Sequence, residues 1–388
     1  MSNDSFKELD KFFSESMKDI EGFLNSKFSD SGNSNAINNE QDSEQIVSNV
    51  HKILEILSQT NNDPITFKGN EKLEILVSCA VSENEIVFGL KQSQLSLYSF
   101  DLTRKTYQEK AKFSNKQHEA EEIHFIQSIK DKRLIIVGYN SGNLRVFEIQ
   151  ANALVQKGKD QKFNHSEGIM NIQYLKTSNK ILTCSYADSK RKDYNIKLWD
   201  LQTNNNDITI SFLKRYQEEQ YSANSATEIP TEGIVVIALS TAVRGKLAFF
   251  KIKEKELEKI ECQNQYKVLA KNGLYWLKDT QIAVLGEEFL SILSFKNNTL
   301  TLIKQIQNNK INTNSMSVSF ALSDDKSYLI FTSLNTISIT SINTFESKEY
   351  KQEDVICTGN CCIFLKNGYL LVGVKKGFIA FKINYDFK

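Results

Sequence analysis

The sequence is poor in the residues that usually punctuate or cross-link a chain. Its 388 residues include only two prolines, 16 glycines, six cysteines and four histidines. A surplus of one charge is also missing: 48 Lys+Arg stand against 47 Asp+Glu, a net of +1. A dedicated polyanion binder carries a large basic excess to neutralise phosphates, so direct nucleic-acid binding is not expected, although a local basic patch stays open. No apolar run approaches the 18 or so residues of a membrane helix; the longest, such as Gly233-Ile-Val-Val-Ile-Ala-Leu239, have strand length, and membrane insertion is not expected. The first residues, Met-Ser-Asn-Asp-Ser-Phe, lack the features of a secretory leader, and their Asp does not suit a mitochondrial presequence. A cytoplasmic or nuclear location is the expectation, with Cys79, Cys184, Cys262, Cys357, Cys361 and Cys362 as reduced thiols.

Catalytic signatures are missing too. There is no G-x-S-x-G, no G-x-x-x-x-G-K-[ST] and no G-x-G-x-x-G after a strand. His118 and His124 flank Glu119, Glu121 and Glu122, but no second cluster with ligand spacing accompanies them, and the acids read as a solvated loop. Cys357-Thr-Gly-Asn-Cys-Cys362 lacks paired C-x-x-C arms, so its thiols read as small buried hydrophobes. The acid pairs Asp324-Asp325 and Glu287-Glu288 fall at turns. Neither a metal nor any other cofactor, nor a small-molecule substrate, is expected.

What the sequence does contain divides at about residue 62. Phe6, Leu9, Phe13, Met17, Ile20, Leu24 and Phe28 recur at three- and four-residue steps, predicting an amphipathic helix over 1–28 with Asp4 or Ser5 as its N-cap and Glu8 spaced from Ser5 as in a capping box. A polar Ser/Asn/Asp tract over 29–42 reads as a flexible linker. Ile46, Val50, Ile53 and Leu57 predict a second helix over 43–62. Both apolar stripes need a cover: the chain itself, a partner's groove or, least suitably given the mixed charges of the polar face, a lipid surface.

From Asp63 onward, short runs of Ile, Val, Leu, Phe and Tyr alternate with polar turns, many built on Asn, which tolerates left-handed backbone. One phrase recurs: a turn, then alternating apolar and polar residues ending near an aromatic. It reads Ser93-Gln-Leu-Ser-Leu-Tyr-Ser-Phe100, Gly142-Asn-Leu-Arg-Val-Phe-Glu-Ile149, Asn195-Ile-Lys-Leu-Trp-Asp-Leu201 and Gly245-Lys-Leu-Ala-Phe-Phe-Lys-Ile252. Weaker copies end at Phe295, Ile342 and Ile383. With Tyr98, Phe147, Trp199, Phe249, Leu293, Thr340 and Phe381 taken as equivalent, the gaps are 49, 52, 50, 44, 47 and 41 residues, close to a four-stranded propeller blade.

The third round, Asn164-His165 through Asp193-Tyr-Asn-Ile-Lys-Leu-Trp-Asp200, resembles the WD40-repeat family most specifically. The resemblance covers 63–388 in period and one blade in full motif. It implies an all-β fold, a seven-bladed WD40-type β-propeller, here with an N-terminal α-helical extension. By that likeness, His165, Asp193, Trp199 and a second-strand hydroxyl, taken as Ser185, form a buried polar network. It also implies that Pro64-Ile-Thr-Phe-Lys68 completes the last blade as its outer strand. The long turn Tyr186–Tyr194 then opens beside the central channel and carries Lys190, Arg191 and Lys192 as candidate contacts for an acidic or phosphorylated partner.

These features predict a non-catalytic scaffold for protein–protein interactions within a multisubunit complex. Phe6, Leu9, Phe13, Met17, Ile20 and Leu24 would serve as an extra docking face. The alternatives are a reader of a modified or acidic peptide, as in chromatin factors or ubiquitin-ligase receptors, and a propeller enzyme whose residues converge from several blades.

Overall fold

A computed structural model describes residues 73–382 except 115–119, 159–163, 188–193, 205–206, 219–220, 242–243, 264–265, 267–272, 287–288, 308–318, 334–335, 352–360, 366–368 and 375–376. The helices expected over 1–28 and 43–62, the linker over 29–42 and the strand expected at Pro64–Lys68 lie outside these residues.

Every described strand pairs antiparallel with its neighbour in sequence, which gives seven separate up-and-down sheets. Blade 1 runs from Ile75 to Phe113, blade 2 from Ile123 to Lys157, blade 3 from Ile169 to Tyr216 and blade 4 from Ser222 to Ile260. Blade 5 runs from Leu274 to Gln307, blade 6 from Ser319 to Lys351 and blade 7 from Cys362 to Lys382. Six sheets have four strands, and blade 7 has three among the described residues.

The second strands explain the apolar runs that sequence alone could assign only by length. Lys180–Ser185 and Ile234–Ser240 are buried at every position, because each blade is covered on both faces by its neighbours. Successive residues point into opposite interfaces: Val235, Ile237 and Leu239 pack toward blade 3, whereas Ile234, Val236 and Ala238 pack toward blade 5. Seven apolar clusters result, one between each pair of neighbouring blades, including one that joins blade 7 to blade 1. The ring is closed. At that seam Phe378 stacks on Phe88 at 5.4 Å, the Cys361 thiol donates to Leu76 O at 3.2 Å, and Gly377 N–H donates to Leu73 O at 3.2 Å.

The phrase positions fall in register with one exception. Tyr98, Phe147, Trp199, Leu293, Thr340 and Phe381 sit opposite Ile86, Ile135, Ile181, Ile282, Leu329 and Leu370, and these second-strand partners all pack toward the preceding blade. In blade 4 that face belongs to Phe250, opposite Val235, while Phe249 points to blade 5 and stacks on Phe295 at 4.2 Å. Two adjacent aromatics hid the phase, and a one-residue slip exchanges the two faces of a strand.

Asn turns account for only part of the left-handed backbone. Asn297 and Asn298 form a two-residue hairpin turn with φ of 51° and 58°, and Asn179 has φ 55°, but Gln92, Ser93 and Lys105 adopt the same region. Strand pairing imposes that turn geometry whichever residue occupies it.

Candidate functional site

In blade 3 the second strand, Lys180–Ser185, and the third, Ile196–Asn204, present their preceding-blade faces to His165, which arrives on the loop from blade 2. Trp199 Nε1 donates to Thr183 Oγ1 at 2.9 Å, and Thr183 Oγ1 lies 2.8 Å from His165 Nε2. His165 Nδ1 lies 3.2 Å from Tyr194 O and 2.9 Å from Ser185 Oγ. A carbonyl only accepts, so the proton sits on Nδ1, and Nε2 accepts from the Thr183 hydroxyl. The hydroxyl between Trp199 and His165 is therefore that of Thr183, with Ser185 at the other end of the imidazole. Register explains this: Trp199 pairs with Ile181, so Thr183 is its diagonal neighbour on that face and Ser185 is two residues farther. Asp193 lies outside the described residues.

Blade 2 builds a different lock at the equivalent place. The Glu121 carboxylate accepts from Ser141 Oγ at 2.7 Å, from Arg145 Nη1 at 2.6 Å and from Asn143 Nδ2. The Arg145 guanidinium, buried to 2% side-chain exposure, also lies over the Tyr139 ring at 4.4 Å. Burial opposes the Glu121 charge, but the hydrogen bonds from Ser141, Arg145 and Asn143 and the Arg145 charge outweigh it and hold the carboxyl below its ordinary range. Sequence reading placed Glu121 in a solvated acidic run. The signal that could have found it is Arg145, a charged residue on an otherwise apolar strand phrase. The two locks touch: His165 N–H donates to Gly142 O at 3.1 Å. Gly142 has φ 82°, and a Cβ there would come within 2.0 Å of His165 O.

The inner strands meet around a central channel of about 590 Å³. All seven blades line it, and polar bonds tie inner strands across blade boundaries. Ala226 N–H donates to Asn171 Oδ1 at 3.1 Å, Trp276 N–H to Thr227 Oγ1 at 3.0 Å, the Tyr275 hydroxyl to Phe320 O at 2.7 Å and Cys362 N–H to Ser319 Oγ at 3.0 Å. One mouth carries Glu122, His124 and Tyr186, the last 37% exposed. At the other, Lys130 of blade 2 and Asp324 of blade 6, which are not neighbours in the ring, form an ion pair at 3.5 Å. Burial lowers the His124 pKa against the opposing pull of Glu122, so its imidazole is neutral at physiological pH. Burial pushes the Cys79 thiol up to about 12 despite the Lys130 charge, which leaves it protonated.

Among the described residues, no group of three His, Cys, Asp or Glu is gathered to hold a metal ion, and no helix is long and apolar enough to cross a membrane. Lys190, Arg191 and Lys192 lie outside the described residues, as do Phe6, Leu9, Phe13, Met17, Ile20 and Leu24. The two ends of the basic loop are described. Tyr186 lines the channel, and Tyr194 lies beneath the Arg215 guanidinium at 4.2 Å.

The fold has solved counterparts. The WD40 β-propeller domain of Doa1 matches with a TM-score of 0.57 over 83% of this chain and 96% of that one, at 12% identity. The chain has the fold of a seven-bladed β-propeller, similar to that WD40 domain. A functionally unknown protein from Desulfotomaculum acetoxidans DSM 771 matches with a TM-score of 0.58 over 78% of this chain and 93% of that one, at 14% identity. No family model matches the sequence. No curated relative matches it either. At these identities the likeness extends to the fold alone.

Proposed function

We propose that the protein is a non-catalytic scaffold that holds other proteins together in a larger assembly, in the cytoplasm or nucleus. The observation that carries this reading is the seven-bladed ring, closed by seven apolar interfaces and tied by polar bonds around its channel. Such a body keeps its loops in fixed relative positions, so partners docked on different blades are held at set distances. The WD40 likeness supports the same reading, because that fold serves mostly as a protein-binding platform. The loop that starts at Tyr186 and carries Lys190, Arg191 and Lys192 is proposed as one contact, suited to an acidic or phosphorylated surface. The amphipathic segment Phe6–Leu24 is proposed as a second, tethered contact that raises the effective concentration of a partner.

Affinity purification with the full chain, with a chain lacking residues 1–62 and with Lys190, Arg191 and Lys192 all changed to Glu tests the assignments. The full chain is expected to recover a stoichiometric protein complex, and each variant to lose a different subset of it. Recovery of no complex would overturn the scaffold reading. An unchanged partner set in a variant would remove that contact from the proposal.

A further inference from the structure

The central channel has two unlike walls. Among the described residues its four primary amides, Gln127, Asn171, Gln173 and Asn224, all come from the inner strands of blades 2 to 4. Blades 5 to 7 bring no amide to the lining and present Leu274, Tyr275, Phe320, Leu322, Ile363 and Phe364. Phe125, an aromatic on the amide side, packs back into the interface of blades 2 and 3. The bonds between inner strands, linking Asn171 to Ala226, Thr227 to Trp276 and Tyr275 to Phe320, set the two walls at one depth. The charged lining residues Glu122, Lys130 and Asp324 sit at the mouths, so the interior between them is uncharged.

Backbone partners fix which end of each amide faces the channel. Gln127 and Gln173 occupy equivalent places in blades 2 and 3, and each donates Nε2 to the carbonyl of the following residue at 2.8 Å. A carbonyl only accepts, so Nε2 is turned to the backbone and Oε1 is the end left for the channel. Asn171 is the reverse case. Its Oδ1 accepts from Ala226 N–H at 3.1 Å, which leaves the Nδ2 amide without a partner among the described residues. Only 9% of Asn171 is exposed, and it lines the channel. An unmet donor in such surroundings is costly, so this one needs an acceptor from whatever fills the channel. The amide wall therefore offers one donor and two acceptors, while the opposite wall offers rings and aliphatic groups.

We propose that the channel binds a small, uncharged, planar nitrogen heterocycle of the nucleobase type, whose edge carries both N–H groups and a carbonyl or ring-nitrogen acceptor. Gln127 and Gln173 accept from its N–H groups, Asn171 donates to its acceptor, and its ring face lies against Tyr275, Phe320 and Phe364. Proteins read bases by this combination, with amides at the edge and apolar or aromatic side chains against the face. The volume of about 590 Å³ falls within the range of about 300–1,000 Å³ usual for small-ligand sites. The Lys130–Asp324 ion pair crosses one mouth, so the ligand enters by the other, beside Tyr186. Bound there, it ties blades 2 and 3 to blades 5 to 7 across the ring.

Isothermal titration of the full chain with adenine, hypoxanthine and uracil tests this, with indole as a flat apolar comparison. At least one base is expected to bind saturably with a Kd below about 1 mM, and about fivefold or more tighter than indole. Gln173→Met removes an acceptor at nearly constant shape. Asn171→Asp keeps the acceptor for Ala226 N–H and replaces the free donor with a second acceptor. Each is expected to weaken base binding by about fivefold or more. Circular dichroism melts check that the variants fold; if Asn171→Asp does not, Gln173→Met alone decides. No saturable binding of any of the three bases at about 5 mM, several-fold above that Kd, means that the channel holds solvent only and overturns the proposal. So does base binding indifferent to the substitutions, which places the site elsewhere. Indole bound as tightly as the bases overturns the ligand class, because the amides then select nothing.

Discussion

At the scale of single residues, Thr183 is the hub of blade 3. Its hydroxyl accepts from Trp199 and serves His165 Nε2, both in fully buried surroundings. Thr183→Val keeps the shape and removes the hydroxyl, which strands one buried donor and one buried acceptor. Each unmet group costs about 1–3 kcal/mol, so urea unfolding should report a loss of about 2–4 kcal/mol. Ser185→Ala should lose only about 1 kcal/mol, because Tyr194 O remains as the partner of His165 Nδ1. Equal losses for the two variants would contradict the hub assignment. The pair also shows where sequence reading stopped. Residue types announce that a hydroxyl belongs in the network, but choosing between Thr183 and Ser185 needs the strand register, which depends on where the hairpin turns.

At the scale of elements, the phrase positions were legible because a blade repeats one alternation. Blade 4 slipped by one residue because Phe249 and Phe250 satisfy the pattern equally and only the neighbouring blades distinguish them. Blade 2 was legible in its strands and not in its lock. The Glu121 clamp spans 24 residues of sequence to Arg145, and an acid beside Glu119 and Glu122 looks solvated until Arg145 is seen to be buried. Removing one partner of such a pair leaves a buried charge unmatched, so Glu121→Gln should destabilise by about 3 kcal/mol near pH 7. The pH dependence has a defined sign. The folded-state pKa of Glu121 is depressed, so its contribution is present above the ordinary glutamate value of 4.5 and is lost as pH falls through the depressed value. Thermal melts from pH 7 down to pH 3 should therefore fall less steeply for Glu121→Gln than for the wild type. Parallel curves would show that the clamp contributes no titratable stability.

At the scale of the whole molecule, the ring depends on its seam. Blade 7 meets blade 1 through Phe378, which touches the rings of Phe88, Tyr98, Phe100 and Tyr107, and through the bond from Gly377 N–H to Leu73 O. That last bond sets the chain at residue 73 beside the start of the third strand of blade 7, Gly377–Lys382, whose outer edge has no described partner. Pro64–Lys68, expected from the sequence as the outer strand of blade 7, lies outside the described residues. Residues 1–63 and 64–388 also separate as two compact units. Two truncations therefore have different expected outcomes. A chain lacking residues 1–62 should melt within a few degrees of the full protein in one transition. If Pro64–Lys68 supplies the outer strand of blade 7, as its place in the sequence predicts, a chain lacking residues 1–72 should melt well below the full protein and aggregate. Equal melting of the two truncations would mean that the ring closes on its apolar seam alone, with Phe378 rather than the N-terminal strand as its fastening.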